Sequence, residues 1–265
     1  MEINDEVAKA TSALIRMKQN GISPMEDDDY EKASIIAKEL TEYSFYQDIT
    51  PIEIEDAMIL SKEYMKQYPN IEEELDFLEE IKIRPFIVQN DYEEMYYNTT
   101  INPKTFKIET LQIPLNTNRQ SPIYIAHEIH HMLKDTNKEE YKTKLRYADV
   151  LPLFFELLVG EEKKEIITNR LYMLNTRKEI IEEHINRKDN NPFKELIDSN
   201  VSQYYLSFYY AILLLEEYHK NPKKVLEDIS LILKHQSTTE KYLQENNLTN
   251  SNHKEFVKER MKSFK

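Results

Sequence analysis

Apolar residues return every third or fourth position over most of this chain, the spacing by which a helix lays one face on a core. Over residues 1–82 the pattern predicts four helices. The first spans residues 4–19 and stops at Gly21; the second runs from about Asp29 to Tyr46. The third opens with Thr50 as N-cap and Pro51 at the first helical position and reaches Tyr68; the fourth covers Ile71 to Ile81. Glu26-Asp27-Asp28-Asp29 reads as a solvated helix start, its carboxylates at the positive end of the dipole, with a metal-ligand cluster as the other reading.

Between Ile83 and Leu115 the period shortens. Arg84-Pro85-Phe86-Ile87-Val88, Met95 to Ile101 and Phe106 to Leu115 read as three strands of a small antiparallel sheet. Such a sheet could offer an edge to an extended peptide or serve only as a hairpin. Helical spacing then resumes. Ser121-Pro122 starts a helix that runs to about Lys134, and a second runs from about Lys138 to Gly160. Residues 163–188 form a long charged helix and Asn191-Pro192 opens a short one. The tyrosine-rich segment Val201 to Ala211 continues into Leu213-Leu214-Leu215; Asn221-Pro222 starts another helix, and Ser237-Thr238-Thr239-Glu240 is a capping box for the next. The expected architecture is mainly α with a small sheet. It is one domain over residues 1–265: a helical part to 82, the sheet over 83–118 and a second helical part over 119–265.

Composition narrows the function. With 40% hydrophobic and 11% aromatic residues, the 265-residue chain can bury a large core. A net charge of −13 argues against nucleic acid and anionic membranes as partners and leaves a peptide substrate open. There is no cysteine, so thiolate metal sites are excluded; two glycines in all disfavour nucleotide-binding loops. The N-terminus lacks the apolar core of a signal peptide and no apolar run approaches a membrane span, so the expected location is cytoplasmic.

Against that background one stretch carries chemistry. In Ala126-His127-Glu128-Ile129-His130-His131-Met132, His127 and His131 stand four apart on one helix face and can share a zinc ion. Glu128, about 100° round the helix, can face a water on that ion and take its proton. Three of the seven histidines fall here. A catalytic zinc site needs a third ligand from the protein. Asp149 and Glu156 are the candidates on the next helix, on nearly the same face but about 10 Å apart along the axis. Hairpin geometry brings Asp149 nearer the histidines. Glu156, inside Leu153-Phe154-Phe155-Glu156-Leu157-Leu158, is a buried carboxylate in need of a partner, and a metal-bound histidine is a natural one. Asp149 as ligand with Glu156 behind a histidine is the preferred assignment; the reverse is its rival.

His127-Glu128-x-x-His131 followed by Asp149 and Glu156 resembles the thimet oligopeptidase and oligoendopeptidase F family of zinc peptidases, a gluzincin group, over roughly residues 83–250. His130 stands where that family usually has glycine, Asp149 is shorter than the family's glutamate, and the chain is about half the usual length. The resemblance implies a zinc metallopeptidase with a deep cleft that favours short peptides. It also implies an oxyanion-stabilising phenol from the tyrosine-rich helix. Tyr205 matches best, with Tyr204 and Tyr209 as alternatives. Two other readings are a regulatory protease that cuts one protein partner and a non-catalytic relative. In the latter a closed structural site would draw a fourth ligand from His130 or Glu156.

Overall fold

The computed structural model describes residues 26–264 apart from 42, 45–47, 49, 77–81, 87–97, 102–107, 115–116, 136, 138, 141–143 and 187–193. The expected helix over residues 4–19, with its stop at Gly21, lies outside them. Mainly helical architecture is what the structure shows. Helices α1 (Asp27–Glu39), α2 (Ile54–Met65) and α3 (Glu72–Asp76) precede strands β1 (Lys82–Phe86), β2 (Asn98–Ile101) and β3 (Ile108–Pro114). There follow α4 (Ser121–Asp135), α5 (Lys144–Tyr147), α6 (Val150–Gly160), α7 (Lys164–Asn186) and α8 (Lys194–Lys220). The described chain closes with α9 (Pro222–Leu233), α10 (Thr239–Glu245) and α11 (Lys254–Ser263). Among the described residues no helix is long and apolar enough to cross a membrane.

The core forms around α6, which packs on α8 and on α4. In α6 every residue from Val150 to Leu157 is buried, and in α8 every residue from Tyr205 to Leu215. A helix apolar all round belongs at the centre, and these two pack on each other there. On α4, Ile125, Ala126, Ile129 and Met132 are fully buried, and the helix is clamped between α2 on one side and α6 on the other. The Ser61 hydroxyl of α2 lies 2.6 Å from its own helix's Ala57 carbonyl and 2.9 Å from that of Pro122, which joins α2 to the start of α4.

The sheet corrects the antiparallel expectation. Its order is β1-β3-β2; β2 runs antiparallel to β3, but β1 pairs with β3 in parallel, with Ile83 opposite Leu111. Strand period reveals which face is buried and not which neighbour a strand takes. Here the last strand occupies the centre, and its Leu111 and Ile113 enter the core.

Several helix boundaries also moved, each for a local reason. Thr50-Pro51 does not begin α2. The Thr50 carbonyl accepts from Arg119 N, Pro51 bridges Asn118 and Ile52 N donates to Thr117, so this stretch is extended and the helix starts later, after Glu53. The helix expected to reach Tyr46 ends at Leu40, which is extended. The helix expected over Lys138 to Gly160 is broken at Ala148-Asp149. Pro152 has no N–H to offer the Ala148 carbonyl, so the first bond of α6 runs from Leu153 N to Asp149 O and Asp149 becomes the N-cap. The tyrosine-rich segment lies within the single helix α8. Asn221 caps α9 as expected, whereas the cap of α10 is Thr238, one residue later than the predicted box.

The acidic run is only partly solvated. Glu26 and Asp29 form a capping box on α1, and the buried Asp29 carboxylate also meets Arg146 Nε at 2.6 Å, while Asp28 pairs with the buried Lys32 at 2.5 Å. Burial lowers Arg146 basicity, but Tyr147 and Asp29 outweigh it and raise the pKa. Replacing Arg146 with Met leaves the buried Asp29 carboxylate with the Glu26 N–H alone and should lower stability by about 1–3 kcal/mol. Adding Asp29→Asn should restore part of that loss, as read by urea unfolding of the single and double variants.

Candidate metal centre

Three donor atoms converge between α4 and the start of α6. His127 Nε2 and His131 Nε2 lie 3.2 Å apart, as a four-residue step on one helix face allows. Asp149 Oδ1 reaches both, at 3.4 Å and 3.1 Å. Donors bound tetrahedrally to one zinc ion at ordinary bond lengths stand about 3.3 Å apart, so the triangle has the dimensions of one face of that tetrahedron. The Glu128 carboxylate adjoins it: His127, Glu128 and His131 each offer an atom within 4.8 Å of the others, a group that could hold a metal ion. His127 is buried, while Glu128 and His131 are half-buried.

The break before α6 is what brings Asp149 here. As an N-cap it leaves the helical path (φ −101°, ψ 8°), its amide 3.4 Å from the Ser207 hydroxyl and its Oδ2 accepting from Gln203 Nε2 at 3.3 Å. Burial raises the Asp149 carboxyl pKa, but hydrogen bonds from His127 and His131 hold it well below the usual range.

Glu156, two turns further along α6, takes the opposite edge of the same imidazole. His127 Nδ1 donates to Glu156 Oε1 at 2.7 Å, so in the neutral imidazole the lone pair is on Nε2, the nitrogen that faces Asp149 and His131. The two carboxylates therefore divide one imidazole between them, Asp149 facing Nε2 and Glu156 facing Nδ1. Arg170 of α7 grips Glu156 from behind, Nε to Oε2 at 2.6 Å and Nη2 to Oε1. Burial alone would raise the Glu156 pKa; Arg170 and His127 bring it down to about 2. His127, although burial opposes its charge, is lifted to about 9 by Glu156 and Asp149. Nothing in the sequence pattern marked Arg170 beyond its place in a charged helix.

His130 turns away. Its Nδ1 donates to the Ala126 carbonyl at 2.7 Å, its Nε2 accepts from the Tyr68 hydroxyl at 2.9 Å, and Phe155 packs on the ring. Burial pushes its pKa down to about 3, so it is neutral. With Glu156 engaged by Arg170 and His127, neither residue weighed as a fourth ligand faces the triangle.

The tyrosines are rearranged as well. Tyr205 is buried and its phenol donates to the Leu174 carbonyl at 3.3 Å. Tyr209 lies where Asp28 and Glu31 influence it, at the α1 side of the core. Tyr204 is the one that the Asp149 and Glu128 carboxylates influence. Arg177 lowers its pKa, but burial and the Asp149 and Glu128 carboxylates outweigh this, so the phenol keeps its proton.

No family model, no curated protein and no solved structure matches the chain. Arg170→Met should leave His127 without an oriented Glu156 and weaken metal binding by about 10–100-fold. Competition with a chromophoric chelator measures this, and circular dichroism checks that the fold persists.

Proposed function

We propose that this chain is a zinc-dependent metallopeptidase acting on short peptides, with His127, His131 and Asp149 as ligands and Glu128 as general base. The observation that carries the reading is the triangle of two Nε2 atoms and Asp149 Oδ1 with the Glu128 carboxylate alongside. A zinc ion held there would polarise a peptide carbonyl and lower the pKa of a coordinated water towards neutrality. Glu128 accepts the proton of the attacking water and returns it to the leaving amine, so one carboxylate serves both halves of the reaction. Arg170 and Glu156 fix the tautomer and tilt of His127 throughout.

The oligopeptidase-like motif order supports the same assignment, with one change: Tyr204 replaces Tyr205 as the phenol offered to the developing oxyanion. The engagement of His130 and Glu156 elsewhere supports a position left for water and substrate, against a closed structural site.

Incubating the zinc-loaded protein with a mixed library of short peptides, with mass-spectrometric readout, tests this. Wild type should cleave in a chelator-sensitive manner. Glu128→Gln should bind zinc equally well and cleave about 10²–10⁴-fold more slowly. Equal cleavage by the two proteins, or cleavage indifferent to chelator, sinks the proposal.

A further inference from the structure

Helix α7 carries a second arginine on the face that bears Arg170. Arg177 stands seven residues on, two turns and about 10 Å along the same side. The helices α6 and α7 form an antiparallel pair: Gly160 meets Ile167 near the turn, and Glu156 meets Arg170 one step further from it. Two turns beyond that contact, back along α6 and forward along α7, stand Asp149 and Arg177. Arg177 is therefore level with the metal triangle, as Arg170 is level with Glu156.

The two arginines differ in what they face. Arg170 is neutralised by Glu156. The Arg177 guanidinium carbon sits 3.8 Å from the centre of the Tyr204 ring, and among the residues whose side chains are described no carboxylate forms an ion pair with it. The helix α8 ties this stack to the triangle. Gln203, beside Tyr204, donates to Asp149 Oδ2, and Tyr205 donates to Leu174, one turn before Arg177 on α7. Burial works against the Arg177 charge, while Tyr204 and the nearby Asp149 support it, so the guanidinium stays protonated. Among the residues whose side chains are described, this half-buried guanidinium has the Tyr204 ring as its partner and no carboxylate. The planar fork of an arginine pinned on an aromatic ring matches a carboxylate with two parallel hydrogen bonds.

We propose that Arg177, stacked on Tyr204, anchors a carboxylate of the substrate beside the metal triangle. The inference rests on the peptidase reading and adds a substrate class to it: peptides with a carboxylate close to the scissile bond. That carboxylate is either the free C-terminus, which would make the enzyme trim chains from that end, or an acidic side chain.

Isothermal titration of zinc-loaded Glu128→Gln protein tests this without relying on cleavage. The probes are an N-acetylated alanine tetrapeptide as free acid, the same peptide as C-terminal amide, and the amide with one internal glutamate. One carboxylate probe should bind roughly tenfold to a hundredfold more tightly than the plain amide. The free acid in that position identifies the C-terminus, and the glutamate peptide identifies a side chain. Adding Arg177→Met or Arg177→Gln should erase the preference, and Arg177→Lys should keep part of it, with circular dichroism confirming the fold of each. Equal affinities for all three probes, or no measurable binding by either carboxylate probe, overturns the anchor. So does a preference that survives Arg177→Met, because the carboxylate would then be held by the metal or by Arg170. Discrimination in these titrations with no cleavage by wild type rejects the peptidase reading and leaves the anchor; cleavage without discrimination does the reverse.

Discussion

The Glu156 carboxylate, buried between His127 of α4 and Arg170 of α7, is the interaction on which the rest of this structure depends. Removing a charge from water costs several kcal/mol unless partners replace the hydration, and here an imidazole and a two-pronged guanidinium do so. The same contacts join three helices. They fix how far α4 lies from α6, and so whether Asp149 can reach His127 and His131. A polar network fully satisfied in this way orders the surrounding core, whereas loss of one member leaves an unpaired buried charge.

Around that network the three histidines of α4 are sorted by direction. His127 and His131 share the face towards the break before α6, where carboxylates raise the affinity for a cation. His130 is rotated by about 100° from His131 and about 60° from His127 and is sealed between Tyr68, Phe155 and the Ala126 carbonyl. One helix thus presents a charged edge to the site and a neutral, hydrogen-bonded histidine to the core. The tyrosines of α8 show the same sorting: Tyr205 binds a backbone carbonyl of α7, and its neighbour Tyr204 takes the side facing Arg177.

Much of the site was legible because its chemistry is local in sequence. His127, Glu128 and His131 are placed by helix spacing alone. Glu156 was marked by lying among Leu and Phe residues that had to be buried. The expected helix ran unbroken from Lys138 to Gly160, so the sequence did not say that a break near Pro152 would cap α6 with Asp149. What was not legible depends on pairing between distant elements. Arg170 and Arg177 look like ordinary members of a charged helix until α7 folds back on α6. The choice between Tyr204 and Tyr205 turns on one helical step. The parallel pairing of β1 with β3, and the extended Thr50-Pro51-Ile52 segment held by Thr117 and Arg119, are likewise tertiary outcomes that overrode sound local signals.

The central claim is that His127, His131 and Asp149 form one metal position. Elemental analysis after zinc loading and desalting, on wild type and on His131→Ala and Asp149→Ala, tests it most directly. The account predicts about one zinc per chain in wild type, with the metal lost from His131→Ala and sharply reduced in Asp149→Ala. No zinc in wild type, or the same content in all three proteins, would contradict it.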